Sequence, residues 1–163
     1  MAGFYRTLSR PVSPKRERRL SLELANGSRI VTLPGTEKTI RGFSGASLLL
    51  VDEAARVAND LYASILPMLA ISGGRLLALS TPFGTRGWWY QAWVSAEPWE
   101  RYQVPATEVP RTNPKFLAEE RRTLGDWWYE QEYMGRFLDA ETQAFRREDI
   151  DKALEEKVEA WEL

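Results

Sequence analysis

Two adjacent carboxylates, Asp52 and Glu53, end an apolar run in "SLLLVDEAAR" (47–56), and a Ser-Thr-Pro triplet, Ser80, Thr81 and Pro82, ends a second run in "RLLALSTPFG" (75–84). A carboxylate pair at the tip of a buried strand suits metal-assisted attack on a phosphoryl group: the Asp holds Mg²⁺ and the Glu polarises a water. A Ser-Thr pair on a neighbouring tip suits hydrogen bonding to that water or to phosphate. Each motif alone also has a plainer reading. Acids favour helix N-termini, so the pair could simply open the next helix, and "STPFG" is a competent turn. Their order and spacing together are more specific than either.

These groups do chemistry only if the chain holds them side by side. "ASLLLV" (46–51) and "RLLALS" (75–80) are too continuously apolar for half-exposed strands and predict central strands covered on both faces. A helix over much of 54–70, disturbed near Pro67, provides a crossover of suitable length, so the two strands are expected to run parallel with both tips on one edge. Before them, "LSLELANGSRIVTL" (20–33) alternates around Asn26-Gly27, a hairpin signal. "WWYQAW" (88–93) reads as helix and "ERYQVPA" (100–106) as a third core strand. Asn113 before Pro114 caps a helix running to about Thr123, followed by another from Asp126 to about Leu138 and a last acidic amphipathic helix over "RREDIDKALEEKVEAW". The expectation is an α/β layered fold with a largely parallel sheet, flanking helices and an antiparallel β-hairpin at one side.

Composition narrows the chemistry. The chain has 163 residues, of which 44% are hydrophobic and 28% charged, a globular profile. It contains no Cys and no His, which removes disulfides, thiolate zinc sites and His-based triads and leaves hard, oxygen-liganded cations such as Mg²⁺. The apolar runs are far short of a membrane span and "MAGFYRTLSR" lacks an apolar signal core, so a cytoplasmic protein without a membrane partner is expected. Charge is uneven. Residues 1–20 hold six Lys/Arg against one acid, and residues 139–163 hold nine acids against four bases. The ends are either solvated tails or, at the basic end, an arm near a polyanion.

"LANGSRIVTLPGTEKTIRGFSGASLLLVDEAARV", "GGRLLALSTPFGTRGWWYQAW" and "NPKFLAEERRTLG…YEQEYMGRF" together resemble the large terminase subunit of tailed bacteriophages, over about residues 20–150. That family packages viral DNA with an ATP-driven motor and a nuclease. The resemblance implies a partial P-loop NTPase-type (ASCE-like) fold, with Asp52 as the Walker B ligand for Mg²⁺ and Glu53 as the catalytic glutamate. Ser80, Thr81 and Pro82 would form the coupling motif, and Arg41 in "TIRG" is a candidate arginine finger. Arg86 in "GTRG" is either a phosphate or DNA contact or a plain loop cation. Trp88, Trp89, Tyr90 and Trp93 either stack on bases or pack a helix.

One departure is clear. No G-x-x-x-x-G-K-[ST] phosphate loop occurs in the sequence. The expected organisation is a basic N-terminal arm (1–19), the C-terminal half of a terminase-type ATPase domain (20–140) and an acidic helical tail (141–163) leading toward a nuclease domain. ATP and Mg²⁺ would then be used only with the missing N-terminal ATPase half. Double-stranded DNA, the portal and the small terminase subunit are the implied partners, in the cytoplasm of a bacterial host. The alternatives are a non-catalytic prophage remnant that binds DNA or packaging proteins and an unrelated helicase-like ATPase.

Overall fold

The computed structural model describes residues 2–33, 35 and 42–139. Arg41 and the expected acidic tail helix lie outside the described residues.

The basic N-terminal stretch is built into the fold. Helix α1 (Ala2–Thr7) buries Tyr5, whose phenol donates to the Val12 carbonyl, and strand β1 (Pro14–Arg18) follows. β1 pairs antiparallel with β2 (Ser21–Leu24), which pairs with β3 (Arg29–Val31) in the expected hairpin. Asn26 closes that turn by accepting from Ser28 N–H at 3.0 Å, while Gly27 takes the left-handed conformation (φ 85) that the turn requires. Cross-strand pairing puts Leu22 on one face, where it is buried, and charged residues on the other.

Strands β4 (Leu48–Val51) and β5 (Arg75–Ala78) form a separate two-stranded parallel sheet, with Leu49 opposite Leu76 and Val51 opposite Ala78. The connection between them folds as a short 3-10 turn (Ala54–Arg56), then α2 (Asn59–Ile65) and α3 (Pro67–Ala70), the break falling at Leu66–Pro67. Gly74 brings the chain back to β5, and only Gly fits there: a Cβ would stand 2.0 Å from the Ala46 carbonyl oxygen. The core lies on one face of this sheet, where Val51, Ala54, Ile65, Met68 and Trp88 are buried together, backed by Leu49, Leu76 and Ala78. Trp88 belongs to α4 (Gly87–Val94); its ring stacks on Tyr62 with centroids 4.0 Å apart, and its indole N–H donates to the Val57 carbonyl. The aromatic cluster of α4 therefore contributes to helix packing.

Among the described residues the sheet is not covered on both faces as its apolar runs predict. Leu48, Leu50, Leu77 and Leu79 are 58%, 56%, 48% and 46% exposed, and the register places them together on the face opposite the core. Helices pack on one side only, so the described residues form half of a layered α/β unit. The hairpin likewise belongs to its own sheet and does not extend the parallel one.

Residues 100–106 are not a strand. Arg101 donates to the carbonyls of Ala92, Ser95, Glu97 and Trp99, which folds this segment around the end of α4. Gln103 donates to the Met134 and Gly135 carbonyls, and Ala106 N–H to that of Tyr133, so the segment is held against residues 133–135 and away from β5. Tyr102 and Val104 point outward at 80% and 65% exposure. Helix α5 (Pro114–Glu132) starts as expected, with the Asn113 side chain accepting from Lys115 N–H. Gly125 (φ 83, ψ 164) interrupts it where two helices are expected, and its second part ends at Glu132, short of Leu138.

Candidate functional site

The backbone laces the tips of β4 and β5 together. Leu79 N–H donates to the Val51 carbonyl at 2.9 Å, Ala54 N–H to the Leu79 carbonyl at 3.0 Å, and Ala55 N–H to Ser80 Oγ at 3.1 Å. The last two bonds require the chain to turn sharply after Asp52. Glu53 makes that turn by adopting the left-handed conformation (φ 52, ψ 41), which a residue with a Cβ enters at a cost of about 1–3 kcal/mol. Asp52 Oδ1 accepts from Glu53 N–H at 3.0 Å and supports the turn from within.

Asp52, Glu53 and Ser80 are thus brought to one sheet edge, with Thr81 half-buried and Pro82 buried beyond them. Both acids are exposed and line an open groove of about 490 Å³, together with Arg56, Asp60, Leu61 and Gly35. Among the described residues no group of three or more His, Cys, Asp or Glu side chains forms a metal cage. A carboxylate pair on an open groove instead fits a Mg²⁺ ion that keeps several waters and takes its other ligands from bound phosphates.

Arg56 is the residue that sequence reading passed over. Its guanidinium lies 4.0 Å from Glu53 and 4.0 Å from Glu132 at the end of α5, and 4.3 Å from the centre of the Phe83 ring in the loop after Pro82. The pairing with Glu53 is an i,i+3 contact that the sequence does contain. The contacts with Phe83 and Glu132 depend on tertiary structure. Two further groups fix the Ser-Thr-Pro loop. Gly84 N–H donates to Oε1 of the fully buried Gln131 at 3.4 Å, and the Thr85 hydroxyl donates to the Asp139 carboxylate. Arg86 is exposed at the start of α4, where the Asn59 side-chain Oδ1 accepts from the helix's Trp88 N–H at 2.9 Å. Among the described residues no helix is long and apolar enough to cross a membrane.

A family model described as the terminase large subunit, T4likevirus-type, N-terminal, matches residues 5–152. The fold is similar to the large terminase ATPase domain of Thermus phage P74-26, with a TM-score of 0.58 and 20% identity over 82% of this chain and 66% of that one. A single-residue mutant of the same domain gives a TM-score of 0.54 at 18% identity, over 81% and 66% of the two chains. The chain therefore spans 66% of the ATPase domain it resembles. No curated protein matches it.

Proposed function

The chain belongs to the T4-like terminase large-subunit family, its match lying in the N-terminal region of those proteins, and from that premise we propose that it works as part of a DNA-packaging motor ATPase of the P-loop (ASCE-like) class. The observation that carries this reading is the laced pair of strand tips, which sets Asp52, Glu53 and Ser80 on one edge above an open groove. Asp52 is the Walker B carboxylate that would hold Mg²⁺, which when bound neutralises phosphate charge. Glu53 is the general base that orients and deprotonates the attacking water. Ser80, Thr81 and Pro82 are the coupling motif: Ser80 touches the segment that follows the acids, so a shift of one tip is felt at the other. Arg41 is proposed as an arginine finger toward a neighbouring subunit, and double-stranded DNA, the portal and the small subunit as partners in the host cytoplasm.

The sequence holds no phosphate loop, so ATP turnover requires a polypeptide that supplies one, whether a separate chain or a preceding segment. The open leucine face of the parallel sheet supports this, because parallel sheets are ordinarily covered on both faces. The test is a pair of substitutions in the complemented motor. Glu53→Ala should lower turnover by about 10²–10⁴-fold, the usual contribution of a general base, with Mg-nucleotide binding retained. Asp52→Ala should weaken metal-dependent binding as well. Equal, mild effects from both would reduce the acid pair to a helix start.

A further inference from the structure

The three-stranded sheet carries a charge pattern that the nucleotide groove does not use. On β1, Arg16 and Arg18 point to the face opposite buried Leu22, and register places Arg29 of β3 on that same face, across Glu23. Lys15, in the irregular pairing between Pro14 and Arg16, reaches Glu23 at 3.0 Å and so faces the same way. Glu23 is the acid on this face; Glu17 lies on the other and pairs with Arg6. Lys15, Arg16, Arg18 and Arg29 are all exposed, and Arg29 also lies 5.6 Å from the centre of the Phe43 ring. Among the described residues the face has a net charge of about +3 after Glu23 is counted, whereas the whole chain is −1. The Glu23 carboxyl is held below its ordinary range, first by the Lys15 hydrogen bond and then by the charges of Lys15, Arg16 and Arg29.

We propose that this face, built on Arg16, Arg18 and Arg29, docks the phosphate backbone of double-stranded DNA without reading its sequence. Arg16 and Arg18 are two residues apart on one strand, about 6.8 Å, and Arg29 is two strand spacings away, about 9.6 Å. DNA carries a charge per about 1.7 Å of axis, so such a patch spans several phosphates. The strands β1, β2 and β3 contain no aromatic side chain, and the Phe43 ring beside them is already engaged by Arg29, so these strands offer no free platform of the kind single strands stack on, which favours a duplex. The proposal takes the identity of the polyanion from the motor reading, but none of its residues lines the nucleotide groove.

Fluorescence anisotropy of the full chain on a labelled 24-base-pair duplex, titrated between 50 and 200 mM NaCl, tests it. With four phosphate contacts the wild-type affinity should fall about 150-fold over that range, and with one contact left in R16A/R18A/R29A only about 3.5-fold. R16K/R18K/R29K should keep the wild-type salt dependence. Removing equal charge elsewhere, in R111A/K115A/R122A, should leave it unchanged. Circular dichroism confirms that each variant is folded. A triple mutant with wild-type salt dependence, an equal loss in the control variant, or no duplex binding at 50 mM NaCl would overturn the assignment. Displacement of the duplex by poly-glutamate at equal charge would also overturn it and give the face to an acidic protein. ATP turnover of the complemented motor without added DNA is a separate readout: a failure of the sheet leaves it intact, while a failure of the Glu53 assignment leaves the anisotropy unchanged.

Discussion

The leucine face of the parallel sheet should make the isolated chain associate with itself. Leu48, Leu50, Leu77 and Leu79 together leave open the equivalent of about two whole leucine side chains, and fully covering them is worth about 3–6 kcal/mol at the usual 1.5–3 kcal/mol per side chain. Two copies burying this face against each other gain about twice that, against about 4–15 kcal/mol of lost translational and rotational freedom. The favourable end of this difference, about 4–8 kcal/mol, gives weak association with a dissociation constant between about micromolar and millimolar. Each strand adds an edge to the problem: among the described residues β5 pairs with β4 alone, and its protection is the single charge of Arg75. Sedimentation equilibrium across that concentration range should show an average mass that rises with concentration. Leu50→Gln with Leu77→Gln should return the chain to a monomer at little cost in melting temperature, because both side chains are already about half in water. A wild-type chain that stays monomeric at millimolar concentration, with slow hydrogen exchange along residues 75–79, would refute the reasoning.

Four further outcomes follow from particular residues. Glu53→Gly should leave stability unchanged or raise it by up to about 1 kcal/mol, because relief of the left-handed backbone exceeds or matches the entropy cost of Gly; thermal melting checks this, and a clear loss would count against the turn. Gly74→Ala should cost about 1–3 kcal/mol by forcing a Cβ against the Ala46 carbonyl, read by urea denaturation. Ser80→Ala should cost about 1 kcal/mol through the unpaired Ala55 N–H, and the amide of Ala55 should exchange faster. The Glu23 carboxyl should titrate below the ordinary value of 4.5 and move up in Lys15→Met, as followed by carbon NMR. Its folded pKa is depressed, so its stabilising contribution is present above the unfolded pKa and is lost as pH falls through the folded one.

Much of this arrangement is legible in the sequence because it is locally encoded. Asn26-Gly27 specifies its turn, Asn113-Pro114 its helix start, and two apolar runs separated by a helical crossover specify parallel strands whose tips share an edge. What covers a strand is not local. The leucines of β4 and β5 read as two-sided burial, and their register shows one side open. The segment "PKRER" reads as a solvated arm, since its charges have little strand propensity. It becomes a strand because β2 offers a partner edge. Residues 100–106 have the apolar alternation of a strand, but the contacts of Arg101 and Gln103 decide their path. In the site, the acid pair and the Ser-Thr-Pro triplet are visible as residue types. The left-handed turn at Glu53 and the position of Arg56 over Phe83 emerge only when distant segments meet.

The most direct test is Mg-dependent ATP turnover by this chain with and without a polypeptide that carries a phosphate-loop strand, repeated with Glu53→Gln. Turnover should be at background for the chain alone, appear on complementation and fall by about 10²–10⁴-fold in Glu53→Gln while Mg-nucleotide binding persists. Turnover by the pure chain alone, or a complemented motor that is indifferent to Glu53→Gln, would contradict the assignment of the acid pair.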